Sequence, residues 1–115
     1  MKKLKRDDLM WLAGLLEGEG CFTLSTRDCP RIQMVSTDMD VVRRVAKLFD
    51  RELCEKSRSA ASWGKKKQYM TRIMGNESLE WMEILQPHMG KRRTKRIREV
   101  IRIAENRPRS RNANT

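Results

Sequence analysis

The sequence predicts an α+β fold in the order α-β-β-α-β-β-α-α. Two periodicities carry that reading. In four segments apolar residues recur three or four positions apart, the pattern of a helix with one buried face. Between them lie segments where apolar and polar residues alternate, the pattern of a strand with one face covered. The chain has 115 residues, 38% hydrophobic and 36% charged. That is enough for one thin, surface-rich domain. Residues 1–106 are assigned to it, and residues 107–115 to a basic polar tail expected to be disordered.

Each element follows from local residues. Asp7 or Asp8 can cap a first helix over about residues 9–17, where Leu9, Leu12, Ala13 and Leu16 share a face. Gly18 and Gly20 are read as its stop. From Cys21 the period becomes two, with Phe22 and Leu24 on one side and Thr23, Ser25 and Arg27 on the other. Asp28, Cys29 and Pro30 read as a turn, and Arg31 to Ser36 alternate again around Ile32 and Met34. Asp38 is placed to cap a second helix over about 39–49, buried through Val42, Val45, Ala46 and Phe49. Residues 53–59 make a weaker strand, 60–67 a loop and 68–74 a fourth strand, with Tyr69, Thr71 and Ile73 opposite Met70, Arg72 and Met74. Gly75 and Asn76 turn and cap a third helix over about 77–86, which Pro87 interrupts. A last helix over about 92–106 has Ile97, Val100, Ile101 and Ala104 in its stripe.

Composition narrows the partners. Formal charge is +11, which favours a polyanion: DNA, RNA or, less often, an acidic membrane surface. No apolar run approaches the ~18 residues of a membrane span, and the basic N-terminus lacks the apolar stretch of a signal peptide. An intracellular protein is expected, cytoplasmic or nucleoid-associated. Cys21, Cys29 and Cys54 have no Cys-x-x-Cys spacing, and with His88 they make a poor zinc set, so free thiols are expected. Trp11 and Trp81 read as packing residues. Trp63, beside a lysine run, either touches a nucleic acid or covers the sheet.

The stretch from Trp11 to Phe22 carries the chemistry. Gly14 and Gly18 are four apart on one helical face, with Ala13 adjacent. Small residues at this spacing let two helix axes approach closely. Packing inside one chain and packing against a second copy satisfy the spacing equally. Glu17 and Glu19 end the helix, where its dipole disfavours an anion by ~0.3–1 kcal/mol each. If two copies pack by this helix, their Glu19 side chains face one another. Two charges about 6 Å apart repel by about 3 kcal/mol at an effective dielectric of ~20. Such a site calls for a cation, and carboxylates with water suit Mg²⁺ or Mn²⁺. A divalent ion there can activate water and stabilise the leaving oxygen of a phosphodiester.

Residues 12–20 spell L-A-G-L-L-E-G-E-G. This closely resembles the defining motif of the LAGLIDADG homing endonucleases, with both acids present as Glu. Thr37-Asp38-Met39-Asp40-Val41-Val42-Arg43-Arg44-Val45 resembles the start of the second helix in short phage-type members. Leu85-Gln86-Pro87-His88-Met89-Gly90-Lys91-Arg92-Arg93 resembles their Pro-aromatic-Leu segment with its basic continuation. The resemblance implies an αββαββ core whose antiparallel sheet forms a saddle over DNA. It matches Glu19 to the metal-binding acid and Glu17 to a supporting acid. It matches Arg92 to a basic residue near the cleavage centre, with Lys91 and Arg93 as register alternatives. Studied members place Gln near the end of the second strand; here that position is Asp38, which the residues read as a helix cap.

In the family it resembles, one motif in a short chain implies a homodimer that cuts a near-palindromic double-stranded site with Mg²⁺ or Mn²⁺, here joined through Ala13, Gly14 and Gly18. Thr23, Ser25, Arg27, Arg31, Gln33, Gln68 and Arg72 would lie on the DNA face, where Arg and Gln read base edges well. Lys91, Arg93 and the other cations of the C-terminal region would contact phosphates. Two other functions fit the same fold: a DNA-binding regulator that does not cut, and an RNA-splicing maturase.

Overall fold

In the computed structural model, which describes residues 4–56 and 66–107, the helices cover one face of an antiparallel sheet and leave the other bare. The order is α1 (Arg6–Glu19), β1 (Gly20–Ser25), β2 (Cys29–Ser36), α2 (Met39–Phe49), β3 (Cys54–Glu55), β4 (Tyr69–Met74), α3 (Asn76–Leu85) and α4 (Lys91–Glu105). The strands lie in the order β1-β2-β4-β3. Phe22 pairs with Ile32, and Ile32 with Ile73, so apolar residues of three strands line up on the helix side. They join Leu12 and Leu16 of α1, Val42, Val45 and Phe49 of α2, Trp81, Met82 and Leu85 of α3, and Ile97 and Val100 of α4 in one core. Phe49 and Trp81 meet edge to face, with ring centroids 5.1 Å apart. Trp11 is a packing residue too: the Arg44 guanidinium lies 3.9 Å from its ring centroid and pairs with Asp8, tying α1 to α2.

The helices α2, α3 and α4 fall within a residue of their sequence-based bounds. Asp38 caps α2 by accepting a hydrogen bond from the Val41 amide. Gly75 precedes α3 at φ +75°, a conformation natural only to glycine. In α4 the buried stripe is Ile97, Val100 and Ala104, while Ile101 is only half-buried.

The first helix is longer than its apolar pattern. It starts at Arg6, so Asp7 and Asp8 sit inside its first turn and act on the dipole rather than as a cap. Gly18 does not stop it. It ends at Gly20, whose backbone turns extended (φ −79°, ψ 156°) and where a Cβ would lie 2.8 Å from the Leu16 carbonyl oxygen. The first hairpin also turns earlier than expected, at Thr26–Asp28, leaving Cys29 and Pro30 in β2. Arg27 therefore stands at the hairpin tip and not on the strand. Arg27 and Asp28 both adopt positive φ, 61° and 57°, the backbone sense that suits the twist of a tight hairpin.

The third strand is two residues long, extended by one hydrogen bond from the Lys56 amide to the Gln68 carbonyl. The rest of that expected strand and most of its loop, Trp63 included, lie outside the described residues. Of the expected tail only Arg107 is described, and its guanidinium donates to Asn76 of α3. The three cysteines are free. No described helix is long and apolar enough to cross a membrane.

Candidate functional site

Two oppositely charged helix ends meet at the start of β1. The last turn of α1 carries Glu17 and Glu19 and no basic residue. The first turn of α4 carries Lys91, Arg92 and Arg93 and no acidic residue. Each set opposes its own helix dipole, at ~0.3–1 kcal/mol per charge. Brought together, the ends complement one another.

The contacts are specific. Arg93 donates from Nε to the Glu17 carbonyl (2.9 Å) and from Nη1 to the Gly20 carbonyl (2.7 Å). It thus satisfies carbonyls that a helix C-terminus leaves unpaired. Glu17 Oε1 accepts the Gly90 amide at 2.5 Å, the amide at the mouth of α4. One turn on, Arg96 donates to the Phe22 carbonyl at 3.0 Å and covers the open edge of β1. Arg93, expected on the DNA surface, is therefore turned inward to hold the end of α1, and Glu17 is spent on joining α1 to α4. Charges opposed to a dipole at both helix ends were the available signal for this junction.

Glu19 and Arg92 remain. Both are exposed, and neither takes part in an ion pair among the described residues, which join Arg44 to Asp8, Arg51 to Glu77 and Lys67 to Glu55. No three His, Cys, Asp or Glu gather at one point among the described residues. One chain therefore offers a single free carboxylate here. That suits Mg²⁺ or Mn²⁺, since Mg²⁺ keeps several waters and takes one or two carboxylates plus substrate phosphates.

The small residues of α1 divide. Ala13 is 2% exposed and belongs to the core of its own chain, against its expected place in a dimer interface. Gly14 and Gly18 are exposed, and a Cβ on either would meet nothing within 4 Å. With Met10 they form an open stripe at i, i+4 and i+8.

The bare sheet face holds most of the expected DNA-facing residues. Cys21, Thr23 and Ser25 of β1 stand opposite Gln33, Arg31 and Cys29 of β2. Gln33 in turn stands opposite Arg72, and Arg31 opposite Met74. Gln68 is exposed one residue before β4. Lys91 is exposed on α4, where it also lines an open groove with Lys95, Arg98 and Arg102.

The family model described as LAGLIDADG-like domain matches residues 7–83, from the first turn of α1 into α3. The chain belongs to this family. Solved structures of homing endonucleases share its fold, three of them as follows. The homing endonuclease I-TnaI is 20% identical with a TM-score of 0.64, over 90% of this chain and 74% of that one. The homing endonuclease I-CvuI, in complex with the I-CreI target in the presence of 2 mM Mg, is 16% identical with a TM-score of 0.64, over 88% and 69%. The group I intron-encoded homing endonuclease I-CeuI, complexed with DNA, is 18% identical with a TM-score of 0.68, over 91% and 57%. No curated protein matches the sequence. The antiparallel sheet under helices is the fold of these nucleases. The α4 side of the junction, Gly90, Arg93 and Arg96, lies beyond the matched family segment.

Proposed function

We propose that two copies of this chain, joined along α1, form a divalent-metal-dependent endonuclease that hydrolyses phosphodiester bonds at a near-palindromic double-stranded DNA site. The observation that carries this reading is the open stripe of α1 ending at the unpaired Glu19. Glycine inside a helix costs ~0.8–1 kcal/mol relative to alanine, and nothing in a single chain occupies the space above Gly14 or Gly18. A second α1 laid along the stripe makes use of both and brings two Glu19 carboxylates to one place.

The residues divide the work. Glu19 of each copy would hold the ion. A bound Mg²⁺ or Mn²⁺ supplies activation of water and neutralisation of charge on the phosphate and its departing oxygen. Arg92, and Lys91 beside it, place positive charge at the reacting phosphate. Arg93 and Glu17 position Glu19 by fixing the end of α1 against α4. Thr23, Ser25, Arg31, Gln33, Gln68 and Arg72 address base edges and phosphates. One observation favours a regulator that binds without cutting: Asp38, at the position matched by resemblance to a Gln that studied endonucleases often carry, is engaged as the cap of α2.

Gly14→Leu tests the dimer. In a lone chain the substitution gains about 0.8 kcal/mol of helix propensity and its Cβ enters open space, so the monomer should melt slightly higher. Against a partner helix it blocks approach. Analytical ultracentrifugation should find wild type dimeric and Gly14→Leu monomeric and folded. A wild type that sediments as a monomer, free and on DNA, contradicts the arrangement.

Arg27 carries a further expectation. A non-glycine residue in the left-handed region costs ~1–2 kcal/mol. The hairpin tip keeps an arginine there despite the cost, as expected of a residue selected for a phosphate contact. Arg27→Gly should raise stability by about 1 kcal/mol while weakening DNA binding, read by thermal melting and gel shift on one preparation.

A further inference from the structure

The bare sheet face carries apolar side chains that neither the core nor the charge pattern explains. Along its two central strands, face residues stand in opposed pairs: Val35 with Met70, Gln33 with Arg72, Arg31 with Met74. A polar pair is thus flanked on both sides by pairs that contain methionine. Val35, Met70 and Met74 have no place in the core on the other face. Met74 is 39% exposed, and among the described residues the one other exposed large hydrophobic side chain is Met10, on the open stripe of α1. In a chain that is 36% charged, both exposed methionines lie on surfaces that the proposed complex covers.

We propose that the sheet reads thymine 5-methyl groups through Val35, Met70 and Met74, on either side of a Gln33–Arg72 pair that takes purine edges. The proposal rests on the DNA-binding reading above and adds which base feature is recognised. In the major groove thymine differs from every other base by a methyl group, which apolar side chains recognise, while Gln and Arg pair bidentately with adenine and guanine. The spacing fits. Face residues two apart in a strand are separated by ~6.8 Å, about two base steps of ~3.4 Å. Methionine suits this task because its unbranched thioether adapts to a groove of varying shape. A protein partner is the poorer occupant of this face, since Arg31, Gln33 and Arg72 alternate with the apolar residues and would lose their water.

The test replaces single methyl groups in the DNA. A duplex is selected from a random pool by wild-type protein, and each thymine is then changed to deoxyuridine, which leaves base pairing intact. At positions facing these side chains, wild type should bind about fourfold more weakly, the effect of ~0.8 kcal/mol for one buried methyl. Met74→Ala, whose fold is checked by circular dichroism, should bind uracil and thymine equally at one of those positions and keep the penalty at the others. Equal binding of uracil and thymine by wild type at every position overturns the proposal and leaves DNA binding standing. A selection that enriches no duplex overturns the DNA-binding reading, and this inference with it.

Discussion

Glu19→Gln is expected to abolish cutting while DNA binding persists. The exposed carboxylate ends α1 with no protein partner among the described residues, so its removal takes nothing from the core. The amide keeps the size and the hydrogen-bonding atoms but lacks the charge that holds a divalent ion. A loss of about 4 kcal/mol in barrier stabilisation, within the several kcal/mol such an ion supplies, is roughly a thousandfold in rate. Binding should hold or tighten slightly, because one negative charge near the phosphates is gone. Gel shift and cleavage on the same duplex with Mg²⁺ or Mn²⁺ separate the two effects. A Glu19→Gln protein that cuts as fast as wild type refutes the assignment of the metal ligand.

Arg93→Ala is expected to have the largest effect on stability. The side chain bridges α4 to two carbonyls at the end of α1. Leaving an acceptor unpaired costs ~1–3 kcal/mol, and because these two carbonyls are only partly buried about 1–2 kcal/mol each is expected, a total of about 2–4 kcal/mol. At ~4–5 °C per kcal/mol for a domain of this size, the melting temperature should fall by about 8–20 °C. Arg93→Lys should recover only part of this, because an ammonium does not present the fork that reaches both carbonyls. Arg92→Ala is the internal comparison: exposed and outside the ion pairs, it should melt like wild type and lose cutting. If Arg92→Ala destabilises and Arg93→Ala does not, the two roles are exchanged.

Much of this architecture was legible because single-residue signals were strong. The stripe Val42, Val45, Ala46 and Phe49 with Asp38 before it fixes α2 almost to the residue. Alternation through Phe22, Ile32, Met34, Thr71 and Ile73 gives the covered face of three strands. The misreadings came where a long-range contact outweighs the local pattern. Gly18 looks like a helix stop, yet α1 continues through it to Glu19, with Arg93 holding the carbonyls of its last turn. Ala13 looks like a neighbour of Gly14 and Gly18, but successive helical residues point about 100° apart, and that angle sends Ala13 into the core. The tip at Thr26–Asp28 was hidden because Arg27 is a poor candidate for positive φ, whereas Pro30 looks like a turn and begins no new one.

At the site, the motif acids and the roles that the resemblance implies for them were visible, but the contact that engages Glu17 was not. Glu17 and Glu19 are chemically alike, and only the fold places the Gly90 amide against one and leaves the other free. Among Lys91, Arg92 and Arg93 the resemblance favoured Arg92 but left the register open. The helical turn between them decides that Arg93 faces α1 while its neighbours face water.

The most direct test of the central claim is a cleavage time course with purified wild-type protein, Mg²⁺ or Mn²⁺ and a duplex from the locus flanking its own gene, with both strands end-labelled. A dimer bearing one Glu19 from each copy should cut both strands, at positions related by the approximate two-fold axis of the site, and a chelator should stop it. Tight binding of that duplex with neither strand cut in either metal would contradict the nuclease and leave a DNA-binding regulator.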